Sequence, residues 1–231
     1  MSKSARKKSK QSVADAKPDQ MKGVVFDENM GLGNQLVVLY HVYNTFPNVE
    51  DLFFPKMDSC RHYFNCDKFR SGEYYRSNHS KFRHIVWGDA KDAGDLIRFS
   101  DLQLTPEHQA KVDSMVEGLG GGDLVAVHMR HGDYDHWNDG KFYFSAQKYL
   151  DETYKAIANW GIKNPVVVVF SDERKDGVNF SWDITGGEAV YDLFFMSHFN
   201  YFVRTYSTYS GVASRLSQNR GLFKGEVVVS D

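Results

Sequence analysis

The sequence predicts an α/β fold in which parallel strands are joined by crossover helices and the chain is divided into two lobes. Three observations point there. The all-apolar run 166–170, and the run 124–129 with His128 as its one polar residue, read as strands buried on both faces. Segments with helical spacing of apolar residues alternate with these runs. The cluster Gly118-Leu119-Gly120-Gly121-Gly122 ends a helix and serves as a hinge between the lobes. With 231 residues, 42% hydrophobic and 15% aromatic, the chain has the apolar mass for such a core.

Residues 1–20 hold six Lys or Arg against Asp15 and Asp19, with almost nothing apolar, and are expected to be a disordered basic tail. Such a tail either solubilises the chain or tethers it to an anionic surface or partner. Order begins at Val24-Val25-Phe26, followed by a turn-rich run 27–33 and a helix over 35–46. Residues 52–54, 85–87 and 96–99 are short apolar pieces between polar turns. Thr105-Pro106-Glu107 supplies an N-cap, a proline at the first helical position and an early acid, so a helix runs to about residue 116. This N-terminal lobe spans 21–117, and the second lobe spans 123–231. In the second lobe the strand at 124–129 leads to a helix over 145–159, a strand at 166–170 and a helix over 188–197. A strand at 201–205, a helix over 208–216 and a strand at 226–229 complete it.

Composition excludes several functions. The formal charge is −2, and without the tail 22 basic residues face 28 acidic ones, a net of −6, so the folded part lacks the clustered cations that neutralise nucleic-acid phosphates. Cys60 and Cys66 are the only cysteines, too few for a disulfide scaffold or a four-cysteine zinc site. No run reaches the roughly 20 apolar residues of a membrane helix, and no hydrophobic signal core follows the basic start. A soluble, cytoplasmic protein with no integral membrane segment is expected.

Ligands of open α/β sheets bind beyond the carboxyl ends of strands, and four segments there carry chemistry. Met30-Gly31-Leu32-Gly33-Asn34-Gln35 allows close backbone approach and offers helix-start amides to an anion, without the spacing of dinucleotide or P-loop sites. His128-Met129-Arg130-His131-Gly132-Asp133-Tyr134 ends a strand with concentrated charge; alternation puts His128 and Arg130 on one face. The planar fork of Arg130 suits a diphosphate, the competing reading being an ion pair with Asp133. As metal ligands, His128, His131, Asp133 and His136 are poorly spaced, because alternation sends His128 and His131 to opposite faces. Phe170-Ser171-Asp172-Glu173 offers a carboxylate to a ribose or base, or else caps a helix. In 205–211, the amides and hydroxyls of Ser207 and Thr208 can hold a phosphate at a helix N-terminus.

In this order the four segments resemble the α-1,2-fucosyltransferase family and its α-1,6- and protein O-fucosyltransferase relatives. Gly31-Leu32-Gly33-Asn34-Gln35 matches the family's Gly-x-Gly-Asn-Gln loop. His128 to Tyr134 matches His-x-Arg-Arg-Gly-Asp-Tyr, with His131 in place of the second Arg. Phe170 to Glu173 matches Phe-Ser-Asp-acid. The closing motif is matched by Asp192-Leu193-Phe194-Phe195-Met196-Ser197 and Ser207-Thr208-Tyr209-Ser210, with Gly211-Val212 replacing a Trp pair.

The resemblance implies a GT-B-like fold of two Rossmann-type lobes, the first lobe on the acceptor side and the second binding the nucleotide sugar in the cleft. It implies inverting transfer of fucose from GDP-fucose to a glycan acceptor, without a metal or other cofactor. Arg130 would stabilise the departing diphosphate, supported by Gly31, Gly33, Asn34, Ser207 and Thr208. His128, Ser171 and Asp172 would bind the nucleoside. Asp133, Asp27 and Glu28 are candidates by position for the acceptor-activating base. The alternative is a non-catalytic nucleotide-sugar or glycan-binding protein on the same scaffold; a dinucleotide-dependent oxidoreductase lacks its glycine fingerprint.

Overall fold

A computed structural model describes residues 23–26, 31–45, 48–58, 61–84, 103–171, 183–185 and 189–230. The expected tail, the apolar pieces at 85–87 and 96–99, and Asp27, Glu28, Asp172 and Glu173 lie outside these residues.

The first half holds β1 (Gly23–Val25), α1 (Leu32–Thr45), β2 (Asp51–Phe53), α2 (Gly72–Asn78), β3 (Phe82–His84) and α3 (Pro106–Glu117). Its three strands form a parallel sheet in the order β2-β1-β3, with Val24 opposite both Leu52 and Arg83. The second half holds β4 (Asp123–Met129), α4 (Ala146–Trp160), β5 (Pro165–Ser171), β6 (Asp183–Thr185), α5 (Ala189–Met196), β7 (Tyr201–Arg204), α6 (Thr208–Asn219) and β8 (Gly225–Val228). These strands form a second sheet, parallel throughout, in the order β6-β5-β4-β7-β8. The α/β class and parallel strands expected from the sequence are therefore present. Short α2, β3 and β6 were not legible, because three-residue strands and a helix reading Gly-Glu-Tyr-Tyr-Arg-Ser-Asn carry too little apolar periodicity.

The larger sheet is buried on both faces, which explains its continuous apolar strands. Leu124 and Ala126 of β4 point into a cluster with Phe170, Phe194, Phe202 and Val212. Val125, Val127 and Met129 point the other way, toward Tyr149 and Ala156 of α4. Tyr149, Thr153 and Ala156 recur at helical spacing and are the buried stripe of α4, whose first turn is capped by Ser145 accepting from the Lys148 amide at 3.2 Å. The first cluster also takes in Val24, Leu36, Leu39 and Leu52, so one apolar core joins the two sheets.

The strand order has one functional consequence. From β4 the chain builds outward to β5 and β6 on one side and then returns to place β7 and β8 on the other. The crevice between the carboxyl ends of β4 and β7 is thus the topological switch point, where the loops diverge and leave room for a ligand.

Candidate functional site

Register makes the strand ends level: His128 pairs with both Phe170 and Arg204, and Met129 with Ser171. The loops after β4, β5 and β7 therefore emerge together. The fourth segment joins them through α1, whose first turn packs on the start of α6. A Cβ placed on Gly33 would lie 2.5 Å from the amide nitrogen of Tyr209 and 2.6 Å from its Cα, so only glycine permits this approach. The run expected as a loop as far as Gly33 is shorter than that: α1 starts at Leu32, and Gly33 and Asn34 lie in its first turn. The Asn34 side-chain oxygen there is buried without a hydrogen-bond partner among the described residues, a costly state that a ligand donor would relieve.

Tyr209 links this contact to β4. Its ring lies 5.5 Å from that of buried His128, tilted by 34°. Its hydroxyl donates to the Ala189 carbonyl at 2.5 Å. Burial pushes the phenol well above its usual pKa of 10; nearby Asp192 adds to this and Arg130 opposes it, so the group stays neutral.

Arg130 leaves the end of β4 on the His128 side. Its Nη2 donates to Asp133 Oδ1 at 2.7 Å, and its guanidinium carbon sits 5.5 Å from the Tyr134 ring centre. Asp133 is largely exposed and Arg130 about one third so, leaving the pair open to a stronger anion. Tyr134 donates through its hydroxyl to the Tyr206 carbonyl at 2.8 Å, and the Thr205 hydroxyl to the Phe142 carbonyl at 3.3 Å. These two bonds tie the loop after β4 to the segment after β7. Ser207 then caps α6 by position, buried and with no side-chain bond to the helix, while Thr208 is exposed on the first turn. The first-turn amides of α6 carry partial positive charge where these two loops meet.

His131 takes a different path. It is fully buried, its Nε2 donates to the Phe144 carbonyl at 2.9 Å, and its ring lies 5.2 Å from Tyr143 and 6.0 Å from Tyr149. It faces the α4 side of the sheet, opposite His128, as alternation predicts. His136 is exposed and lies 3.3 Å from Asp135. Among the described residues no three His, Cys, Asp or Glu side chains converge as a metal set, so the ligand reading of His128, His131, Asp133 and His136 lacks a geometric basis.

Of the expected site residues, the structure brings Gly33, Asn34, His128, Arg130, Asp133, Ser171, Ser207 and Thr208 to this edge, with Gly31 just before α1. Asp172 lies outside the described residues. Tyr209 stands within the closing motif, and no periodic signal in the sequence marks its backbone contact with Gly33.

No family model matches the sequence, and no curated protein matches it at a significant level. Solved structures do. A high-resolution POFUT1 in complex with GDP aligns over 91% of this chain and 98% of that one, with a TM-score of 0.56 and 12% identity. POFUT1 with GDP-fucose aligns over 91% and 99%, with a TM-score of 0.51 and 12% identity. NodZ α-1,6-fucosyltransferase co-crystallized with GDP aligns over 87% and 93%, with a TM-score of 0.52 and 16% identity. The fold is similar to that of fucosyltransferases. Against another crystal form of POFUT1 with GDP, this chain spans 56% of the length. No helix among the described residues is long and apolar enough to cross a membrane.

Proposed function

We propose that this chain is an inverting, GT-B-like glycosyltransferase that moves fucose from GDP-fucose to a glycan hydroxyl, with α-1,2 linkage. Its two sheets would correspond to an acceptor-side lobe and a donor lobe. The observation that carries the reading is the convergence of the Gly33, Arg130, Ser171 and Ser207 segments at the β4/β7 switch point, on a fold similar to fucosyltransferases.

The chemistry follows from what each group can do. On donor binding, the diphosphate displaces Asp133 from Arg130, because two forked, charge-assisted bonds to phosphate oxygens outweigh one exposed ion pair. The α6 amides with Ser207 and Thr208, and the Asn34 side-chain NH2, complete the anion site, while Asn34 Oδ1 accepts from a hydroxyl of the donor. The bond from the fucose anomeric carbon to the phosphate oxygen breaks as the acceptor oxygen bonds to that carbon from the opposite side. GDP leaves with the electron pair, and Arg130 stabilises the charge that develops on it. The acceptor proton passes to a carboxylate; Asp133, freed from Arg130, is the candidate at this edge, with Asp27 and Glu28 the others. His128, Ser171 and Asp172 bind the nucleoside, and a carboxylate at Asp172 accepts both guanine N–H donors. Cations and amides of the protein do the work that a metal ion does elsewhere.

One observation favours a second reading, a non-catalytic nucleotide-sugar or glycan binder. His131, at the position of the family's second Arg, is buried away from the edge and cannot grip a phosphate. Calorimetric titration with GDP and ADP tests the donor site common to both readings. GDP binding tighter than ADP, with the preference lost in Asp172→Asn, is expected; equal binding of the two nucleotides, or none, would overturn it.

A further inference from the structure

The loop after β4 carries a row of aromatic rings that the donor chemistry does not use. Tyr134 stacks on Trp137 with ring centres 5.1 Å apart and planes 28° from parallel. Trp137 meets Phe142 at 5.2 Å and 31°, and Phe142 meets Tyr206 at 5.6 Å and 27°. Each ring is thus tilted by about 30° from the next, and the row begins at the residue beneath the Arg130 guanidinium. Trp137 is 45% exposed and Tyr206 63%, among the largest apolar exposures of the described residues. Folding leaves such surface in water only at a cost, and here it is contiguous with the candidate site.

The backbone holds the row in place at some expense. Asn138 and Asp139 have φ of 52° and 57°, and Gly140 follows at 73°, three consecutive left-handed residues between Trp137 and Phe142. This reversal turns the chain back so that Phe142 returns to Trp137. It also leaves the amide of Asn138 and the carboxylate of Asp139 exposed beside the rings.

We propose that Tyr206, the last and most exposed ring of the row, together with the exposed part of Trp137, forms a platform on which a pyranose ring of the oligosaccharide acceptor stacks. A pyranose has an apolar face of C–H groups and a polar rim of hydroxyls. The rings suit the face, and Asn138 and Asp139, which accept and donate at the edge, suit the rim. A lipid acyl chain would gain nothing from a polar border of this kind. The proposal rests on the transferase reading for its acceptor, since a sugar here lies along the ring row that starts at Arg130.

The test is saccharide binding by the full chain, with lactose and chitotetraose as probes, read by saturation-transfer NMR and calorimetry alongside GDP titration. At least one probe should bind the unmodified protein, with saturation transferred to its ring C–H protons. Trp137→Ala and Tyr206→Ala should each weaken it by about tenfold, Trp137→Phe should retain most of the binding, and GDP affinity should not change. Unchanged GDP affinity also certifies that the variants are folded. No binding of either saccharide, saccharide binding indifferent to both Ala variants, or weakened GDP binding in their place would overturn the platform. If GDP does not bind while saccharide binding depends on Trp137, the platform stands and the fucosyl-transfer reading fails.

Discussion

Gly33 and Tyr209 meet backbone to backbone, joining the first turn of α1 to the first turn of α6, with 2.5 Å between a Cβ on Gly33 and the Tyr209 amide nitrogen. The contact locks the smaller sheet's leading helix against the helix proposed to offer its amides to the donor. Gly33→Ala must push the helices apart, and a loss of about 1–3 kcal/mol is expected, seen as a lowered thermal midpoint. Gly31→Ala meets nothing within 4 Å and should leave the midpoint nearly unchanged. Equal midpoints for the two variants would contradict this account of the contact.

Arg130 is bonded to Asp133, and its charge is felt by the Tyr209 phenol of α6. Arg130→Ala should cost about 3 kcal/mol of transition-state stabilisation, some hundredfold in kcat/KM, and Arg130→Lys should recover little because a point charge cannot reproduce the fork. Steady-state kinetics on the folded variants decides; near-normal turnover in Arg130→Ala removes it from the mechanism.

His131 is a core residue in this chain. His131→Ala leaves the Phe144 carbonyl without its donor and opens a cavity beside Tyr149, a loss of about 2–4 kcal/mol by chemical denaturation. His131→Arg introduces the residue type of the fucosyltransferase motif that the segment resembles yet buries a charge, so it should lower stability and bring no gain in rate. A stable, faster His131→Arg variant would show that the side chain reaches the donor.

His198 follows α5 and has its Nε2 buried without a partner among the described residues. Burial lowers its pKa to about 4, with Arg220 adding to the shift and Asp113 opposing it. The folded value lies below the usual 6.5, so neutral His198 supports the fold above pH 6.5, and that support is lost as the pH falls toward 4. Denaturation midpoints should decline over this window, and His198→Gln should flatten the decline. An unchanged slope in the variant would assign the acid sensitivity to other groups.

The strand at 166–170 was legible because burial on both faces leaves no polar position in it, and 124–129 because its one polar residue, His128, stands among five apolar ones. Helix α3 was legible from its Thr105-Pro106 start, which the structure reproduces with Pro106 at the first position. The start of α1 was placed three residues late, since Gly31 and Gly33 read as loop when the second is a close helix contact. Alternation put His128 on one face and His131 on the other, which is how those two side chains are arranged. The rings of Tyr134, Trp137, Phe142 and Tyr206 were not legible as a group. Their adjacency depends on a left-handed reversal at Asn138 and Asp139 and on bonds across the two loops, neither of which has a sequence period.

The central claim, transfer from GDP-fucose at the Arg130 edge, is tested most directly by incubating the protein with GDP-fucose and a panel of galactosides in EDTA. GDP release and the product mass are then measured. The account predicts acceptor-dependent GDP release, one added fucose on the product, and loss of both in Arg130→Ala. Release that is absent in EDTA and restored by a divalent ion, or tight GDP-fucose binding with no product from any acceptor, would contradict it.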